Sequence, residues 1–196
     1  MLVSCTEATV FGPFHVEGAP QIELGGDVAQ GAQGTPCEVR GTVRGLDGTP
    51  VPQAHIEVWQ ADAEGLYDVQ RADCDGAQAR GVLQADAQGR YHFSSILAEA
   101  YPIPDDGPVG DMLRATNRHP LRSSHIHFKI SKDGFKTLIT EVFPDDDPYL
   151  DEDAVFGVRE SLITEFSEAP RDEIPAVTGV ERPYCNVHFD FRLAPA

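Results

Sequence analysis

Hydrophobic and polar residues alternate over several short segments of the chain, as they do in β-strands that bury one face. These segments are CEVRGTV from Cys37, HIEVWQA from His55, GRYHFSSI from Gly89, HIHFKIS from His125, TLITEVF from Thr137 and NVHFDFRL from Asn186. Turn signatures such as Asp47-Gly48 and Asp133-Gly134 lie between some of them, since glycine allows the positive φ of tight connections. The pattern predicts a mainly β fold, namely an antiparallel β-sandwich.

Helical spacing occurs at two places and predicts short helices that cover the β core. It is weak in GDMLRATN from Gly110 and clearer in DAVFGVRESLITEF, where Val155, Val158, Leu162 and Phe166 recur every three or four residues. Two segments rich in glycine and proline predict long loops packed over the scaffold. They are FHVEGAPQIELGGDVAQGAQGTP and AYPIPDDGPVG. No change in composition marks a linker, so we expect residues 1–196 to form a single domain.

Charge and cysteine content narrow the function classes. The chain has 15 Lys and Arg against 32 Asp and Glu, a formal net charge of -17, which argues against nucleic acid or an anionic membrane surface as a partner. No apolar run approaches the roughly 18 residues of a membrane span, and no basic segment begins a secretory signal. The four cysteines show no CxxC spacing. We therefore expect reduced thiols and a cytoplasmic location.

Two histidines lie two residues apart in RSSHIHFKI, which runs from Arg122 to Ile130. Side chains at positions i and i+2 of a strand point to the same face, so His125 and His127 can reach one metal ion. A half-exposed polar face of a strand would produce the same pattern. The pair alone leaves both interpretations open.

Two tyrosines extend the candidate metal site. Tyr67 in AEGLYDVQ and Tyr101 in AEAYPIP each lie in a loop after a strand signal. A lone tyrosine is usually a core aromatic. The free pKa of a phenol is about 10, however, so a metal-bound tyrosine is deprotonated at neutral pH only by a strongly Lewis-acidic ion. Two tyrosines and two histidines together therefore suit ferric iron.

Other catalytic or metal sites fit the sequence less well. An HxH pair also begins the cupin pattern, but Ile130, Ser131 and Lys132 occupy the positions where that pattern requires a glutamate. A metal site of two histidines and one carboxylate remains an alternative. Glu141 would supply the carboxylate if the strands from His125 and Thr137 form a hairpin. No nucleophile elbow supports a serine triad, and no glycine-rich phosphate loop precedes a helix.

Four blocks of the sequence resemble the catalytic domain of the intradiol ring-cleavage dioxygenases. They are VFGPFHVEGAP, GTVRGLDGTPVPQAHIEVWQADAEGLYDVQ, YPIPDDGPVGDMLRATNRHPLRSSHIHFKIS and DPYLDEDAVFGVRESLITEF, in this order over nearly the whole chain. Through GLYDVQ and YPIPDDGPVG the chain is similar to the hydroxyquinol 1,2-dioxygenase branch, and more broadly to the catechol 1,2-dioxygenases.

The resemblance implies a non-haem Fe(III) centre and assigns its ligands. These would be Tyr67, Tyr101, His125 and His127, with Tyr101 and His125 axial. Two residues would be catalytic, Arg122 beside the substrate ring and Tyr101 as the ligand that leaves the metal and accepts a substrate proton. The walls of the substrate pocket would come from Phe11, Gly12, Leu66, Ile103 and Pro104.

The implied reaction belongs to the catabolism of aromatic compounds. A catechol or hydroxyquinol would be cleaved with O2 between its two hydroxylated carbons, to give a cis,cis-muconate-type diacid. The partners would be the diol and O2. Assembly of the chain into a homo-oligomer is a further hypothesis. A second hypothesis is a non-catalytic binding module, because GTVRGLDGTPVPQAHIEVW also resembles prealbumin-like β-sandwiches that only bind or brace.

The chain also departs from the family it resembles. Members of the catechol and hydroxyquinol branch carry a helical N-terminal segment, which we expect to be lacking here because the chain begins almost at TEATVFGPF. Glu141 takes a position behind the metal ligands where relatives place a neutral glutamine or a histidine. Trp59 lies in a predicted strand and is expected in the core.

Overall fold

A computed structural model of the chain describes residues 4–72, 74–168 and 184–196, and its regular structure is mainly β. The strands are β1 Pro36–Gly45, β2 His55–Gln60, β3 Arg80–Gln84, β4 Arg90–Ile96, β5 Tyr101–Pro102, β6 Leu121–Arg122, β7 Ile126–Ser131, β8 Leu138–Pro144, β9 Ile163–Thr164, β10 Phe166–Glu168, β11 Cys185–His188 and β12 Phe191–Leu193. One α-helix, α1 Pro108–Ala115, is found in the described ranges, with 3-10 turns at Asp68–Gln70, Leu150–Glu152 and Glu160–Leu162. No helix in the part of the chain that the structure describes is long and apolar enough to cross a bilayer.

The strands form two five-stranded sheets and one two-stranded pair. The first sheet has the order β10-β11-β1-β12, with β4 also paired to β1, and the second has the order β3-β2-β7-β8-β9. The mainly β fold is confirmed, and most neighbours are antiparallel as predicted. Strand β1 pairs in parallel with β11 and β12, and β8 with β9, because the chain returns to these strands after long connections and not through hairpins.

The two sheets pack face to face around a cluster of aromatic rings. Phe128 on β7 has its ring centroid 4.8 Å from Phe191 on β12 and 6.2 Å from Tyr91 on β4. Phe93 on β4 adds a fourth ring, 6.3 Å from Phe128. All four side chains are buried, and burial of such large apolar surfaces supplies the main driving force for joining the sheets.

Strand β7 is buried on both of its faces. Ile126, Phe128 and Ile130 point into the core between the sheets, as the alternation predicts, so His127 points to the opposite face. That face is covered by loops, which leave His127 only 1% exposed. A second, small buried cluster forms there from Trp59, Ala61, Tyr67 and Tyr101, with Phe14 packed against it. The outer face of the second sheet therefore holds the candidate site.

The helix predicted from Asp153 to Phe166 is wrong. This segment lies within the described residues and forms a turn, one 3-10 turn and the short strands β9 and β10. A helix cannot continue there because the Asp153 carboxylate accepts the Gly157 N–H at 2.7 Å, and Phe156 has a positive φ of 55°. The recurrence of apolar residues reflects a turn that buries Leu162.

Other local predictions are confirmed, but β3 and the two-residue strands β5 and β6 were missed. The weak helical signal from Gly110 corresponds to α1, and the turn residues Gly48 and Gly134 have φ of 81° and 85°. The segment NVHFDFRL is split into β11 and β12. Strand β3 has no counterpart in the predicted elements, because a buried run as short as RGVLQ gives no alternation to read.

Replacing Phe128 by Ala should lower the free energy of unfolding by about 3–5 kcal/mol, since the cavity would lie where both sheets meet. Urea unfolding of the metal-free protein measures this loss. The control is Met112→Ala, because Met112 is exposed on α1 and should change stability by no more than about 0.5 kcal/mol. Equal losses in the two variants would contradict a core centred on Phe128.

Candidate metal centre

Four predicted ligand atoms converge on the outer face of the second sheet. Tyr67 Oη lies 3.3 Å from Tyr101 Oη and 3.3 Å from His125 Nε2. His125 Nε2 in turn lies 3.1 Å from His127 Nε2. All four side chains are buried, although they come from two loops and from the strands β5 and β7. The structure thus brings together the whole ligand set that the resemblance implied.

The spacing and orientation of these atoms fit a metal ion. Nitrogen and oxygen ligands bound at about 2.1 Å and at right angles to each other lie about 3 Å apart, close to the separations found here. His125 Nδ1 donates to the Ser123 carbonyl oxygen at 2.6 Å, so its Nε2 carries the lone pair that faces the other ligands. The residues present can therefore hold a metal ion through two phenol oxygens and two imidazole nitrogens.

Burial sets the charge state of these groups in the metal-free protein. It lowers the pKa of His125 and of His127 well below the usual value, so both imidazoles are in the neutral form that binds metals. Burial also raises the pKa of the Tyr67 phenol well above its usual value. Deprotonation of Tyr67 at neutral pH therefore requires a strongly Lewis-acidic cation, as expected for ferric iron.

One row of directly paired residues crosses the second sheet at this site. It runs from Arg80 on β3 through Trp59 on β2 and His127 on β7 to Glu141 on β8. Directly paired residues point to the same face, and all four of these side chains are buried. The Trp59 indole stacks on the His127 ring, with centroids 4.7 Å apart and planes inclined by 7°. Trp59 was expected in the core, but it is buried in this row on the site face.

Arg122 is held between two buried carboxylates. Its Nη1 donates to Glu141 Oε1 at 2.9 Å, and its Nε donates to Asp153 Oδ1 at 3.2 Å. Burial opposes the charge of Arg122, but Glu141 and Asp153 more than offset this effect and raise its pKa above the usual value. Arg122 Nη1 also lies 3.2 Å from His125 Nε2, so this cation borders the ligand set.

Glu141 borders the four converging atoms on the side of Arg122. The hairpin that a carboxylate ligand would need is present, because β7 pairs with β8, and the ligand atoms of His125, His127 and Glu141 all lie within 4.8 Å of one another. Glu141 Oε1 accepts a hydrogen bond from Arg122 Nη1 and lies 3.4 Å from His127 Nδ1 and 3.6 Å from His125 Nε2. The Nε2 atoms of the two histidines converge with the phenol oxygens. Burial raises the pKa of Glu141, while the charge of Arg122 acts in the opposite direction.

The predicted wall residues differ in how closely the structure places them to the ligands. Gly12 lies directly against a predicted ligand, since a Cβ added there would be 3.3 Å from His127 Nε2. Phe11 packs edge-on against Trp59 at 5.8 Å. Leu66 directly precedes Tyr67 and is half-buried, and Ile103 follows β5. Pro104 is exposed.

Three residues with clear contacts at the site were missed by the sequence reasoning. The Phe14 ring stacks on Tyr67 with centroids 4.4 Å apart, Asp153 holds Arg122, and Arg80 ends the row described above. Phe14 belongs to the VFGPF block, so that block contained a signal for it. Asp153 lay in a segment interpreted as a helix, and Arg80 lay in a strand that was not predicted.

The chain is similar to several known proteins. The model of a family described as Dioxygenase matches residues 10–195. A protein of Cupriavidus pinatubonensis named 6-chlorohydroxyquinol 1,2-dioxygenase is 61% identical over 97% of this chain and 65% of its own length. Hydroxyquinol 1,2-dioxygenase of Nocardioides simplex is 52% identical over 97% of this chain and 65% of its own length. The crystal structure of hydroxyquinol 1,2-dioxygenase from Pseudomonas putida matches with a TM-score of 0.91 and 39% identity, covering 100% of this chain and 68% of that one.

The chain belongs to the intradiol ring-cleavage dioxygenase family. Membership implies a non-haem iron cofactor, which agrees with the donor set of two tyrosines and two histidines. The chain spans 65% of the length of the two curated relatives named above.

Replacing Gly157 by Ala should disturb the packing of Arg122 between Glu141 and Asp153, which we call the Arg122 clamp. An added Cβ would lie 2.8 Å from Arg122 Nη2 and 3.1 Å from Glu141 Oε2, and the guanidinium cannot move freely because two carboxylates hold it. We expect a loss of roughly 1–3 kcal/mol in the free energy of unfolding, measured with urea on the metal-free protein.

The control for this variant is Gly107→Ala, because a Cβ at Gly107 meets nothing within 4 Å. Gly107 caps α1, so its replacement should cost less than about 1 kcal/mol. If the Gly157 variant is as stable as the Gly107 variant, Gly157 is not tightly packed against the Arg122 clamp.

Proposed function

We propose that the chain is a ferric dioxygenase that cleaves hydroxyquinol, or a related catechol, with O2 between the two hydroxylated carbons to give a cis,cis-muconate-type diacid. The observation that carries the proposal is the convergence of two phenol oxygens and two imidazole Nε2 atoms at 3.1–3.3 Å in a buried site. The names of the relatives support the choice of hydroxyquinol. A non-catalytic binding module would leave this buried set of ligand atoms without a role.

The proposed ligands are Tyr67, Tyr101, His125 and His127. Two phenolates cancel two of the charges of a ferric ion, and two neutral imidazoles complete the set. Once bound, such an ion supplies Lewis acidity that binds a diol as a chelate and makes its ring reactive toward O2. The Trp59 indole stacks on the His127 ring and so restricts the plane of this proposed ligand, while Glu141 Oε1 lies 3.4 Å from its Nδ1.

Tyr101 is the proposed acceptor of a substrate proton. It begins β5 and pairs directly with Arg122 on β6, so the tyrosine and the cation are neighbours on adjacent strands. Burial raises the pKa of Tyr101, but the charge of Arg122 and hydrogen bonds from Tyr67 and Arg122 act against that increase. The Tyr101 Oη would accept a proton from a hydroxyl group of the bound diol.

Arg122 is the proposed electrostatic catalyst. A guanidinium is permanently charged, and here two carboxylates fix it beside His125. Held in this way, it can stabilise negative charge that develops on the substrate oxygens without reorganising during the reaction. The pocket walls would come from Phe11, Gly12 and Leu66, with Ile103 and Pro104 further along the chain from Tyr101.

The partners proposed for the site are the diol and O2. We place the reaction in the cytoplasm, in keeping with four free cysteines. Assembly into a homo-oligomer stays a prediction from the resemblance.

Replacing Tyr67 by Phe should remove about half of the tyrosinate-to-iron charge-transfer absorbance, because one of two phenolates is lost. The measurement is the visible spectrum of Fe(III)-loaded protein, expressed per bound iron. Tyr91→Phe is the matched control, since Tyr91 is equally buried but donates to the Phe189 carbonyl oxygen in the core between the sheets. An unchanged spectrum of the Tyr67 variant would remove Tyr67 from the ligand set.

Iron-loaded wild-type chain should consume one O2 per molecule of hydroxyquinol or catechol, whereas Arg122→Ala should lose about 10²–10³-fold in turnover. The iron content of the variant should stay near that of the wild type, because Arg122 is not a ligand. Oxygen uptake and iron analysis on the same samples measure both quantities.

The control is Arg114→Ala, which removes an arginine exposed on α1 and paired with Asp111. This variant should keep wild-type turnover. An iron-loaded wild type that consumes no O2 with any diol would refute the proposed function, and an active Arg122 variant would refute the role of Arg122.

A further inference from the structure

Arg80 is a buried arginine whose side chain is directed at two loops of the metal centre. It begins β3 and is only 3% exposed. It also ends the cross-strand row that passes through Trp59 and His127 to Glu141. An arginine at this depth needs partners for all its donors, because an unpaired buried charge is costly.

The first partner of Arg80 is the residue that follows a proposed ligand. Arg80 Nε donates to Asp68 Oδ2 at 2.6 Å, and Nη2 donates to Asp68 Oδ1 of the same carboxylate. Asp68 directly follows Tyr67 in the chain and also accepts backbone N–H groups from Val69 and Gln78. The two parallel contacts form a fork that fixes the direction of the carboxylate as well as its distance. The backbone next to Tyr67 is therefore tied to β3.

The second partner is in the N-terminal loop. Arg80 Nη1 donates to the Phe14 carbonyl oxygen at 2.9 Å, across 66 residues of sequence. The Phe14 ring stacks on the Tyr67 ring, 4.4 Å away and inclined by 25°. One guanidinium thus fixes the backbone at Tyr67 and the residue whose ring covers Tyr67.

We propose that Arg80 is a positioning residue that holds Tyr67 and Phe14 together at the metal centre. The inference rests on the proposed function, since Tyr67 must bind iron for its position to matter. Stabilisation of the fold alone explains the arrangement less well, because buried ion pairs contribute little net stability compared with apolar residues of similar size. All three guanidinium nitrogens are used on the two loops, and Tyr67 is the side chain common to both.

The test compares Arg80→Met and Arg80→Lys with the matched control Arg90→Met. Lysine keeps the charge and much of the buried stem but cannot form the fork, so it separates charge from geometry. Arg90 also begins a strand, β4 of the first sheet, and also binds a carboxylate, Asp86, through Nε at 2.7 Å, but it is exposed. Urea unfolding verifies that each variant is folded before the other measurements.

The first measurement is the charge-transfer spectrum and the rate of iron loss to a chelator. Both Arg80 variants should show a shifted or weakened band per bound iron and lose iron about 10–100-fold faster than the wild type. Arg90→Met should match the wild type. Wild-type spectra and iron-loss rates in both Arg80 variants would overturn the proposal.

The second measurement is hydrogen exchange of the metal-free proteins, which does not depend on iron. Peptides covering residues 10–16 and 62–72 should lose protection together in the Arg80 variants, and neither should change in Arg90→Met. Unchanged protection, or loss in one loop alone, contradicts a shared anchor. If the wild type binds no ferric iron, the proposed function fails, and exchange alone then decides whether Arg80 orders both loops around Tyr67.

Discussion

Burial of the second sheet on both faces is the constraint on which the site depends. Alternation along β7 sends Ile126, Phe128 and Ile130 into the core, and therefore places His127 in a second buried layer. Polar groups in such a layer must find partners, because water does not reach them. The partners come from loops: Arg80 binds the loops of Tyr67 and Phe14. Hydrogen bonds from one buried arginine thus tie two loops of the centre to the second sheet.

The charges buried at the centre are consistent with a trivalent ion. Arg122 contributes one positive charge, and Asp153 and Glu141 contribute two negative charges when Glu141 is ionised, as its contact with Arg122 favours. Two tyrosinates would bring the total to three negative charges. A divalent ion would leave one of these charges unbalanced in a buried site, which is costly. With Glu141 ionised, the charges of the carboxylates around Arg122 would therefore be compatible with the ferric iron proposed above.

Local patterns and the family blocks predicted different parts of this arrangement. Alternation predicted the two strands that carry His127 and Glu141, because it follows from residues close in sequence, whereas their pairing as a hairpin was only a condition and is seen in the structure. Tyr67 and Tyr101 needed the resemblance to select them among loop tyrosines. Neither the local patterns nor the family blocks predicted the roles of Asp153 and Arg80. The contact of Asp153 with Arg122 joins residues 31 positions apart, and that of Arg80 with Phe14 joins residues 66 positions apart. Spacing in the segment from Asp153 predicted a helix, because periodicity cannot detect a carboxylate that closes a turn on Gly157.

The stacking of Trp59 on His127 has a practical consequence. Trp59 is the single tryptophan of the chain, so all indole emission originates 4.7 Å from the centre of a proposed ligand ring. Excited indoles are sensitive to neighbouring groups that accept energy or electrons. The protein therefore contains its own optical probe, through which filling of the centre can be followed in solution without a label.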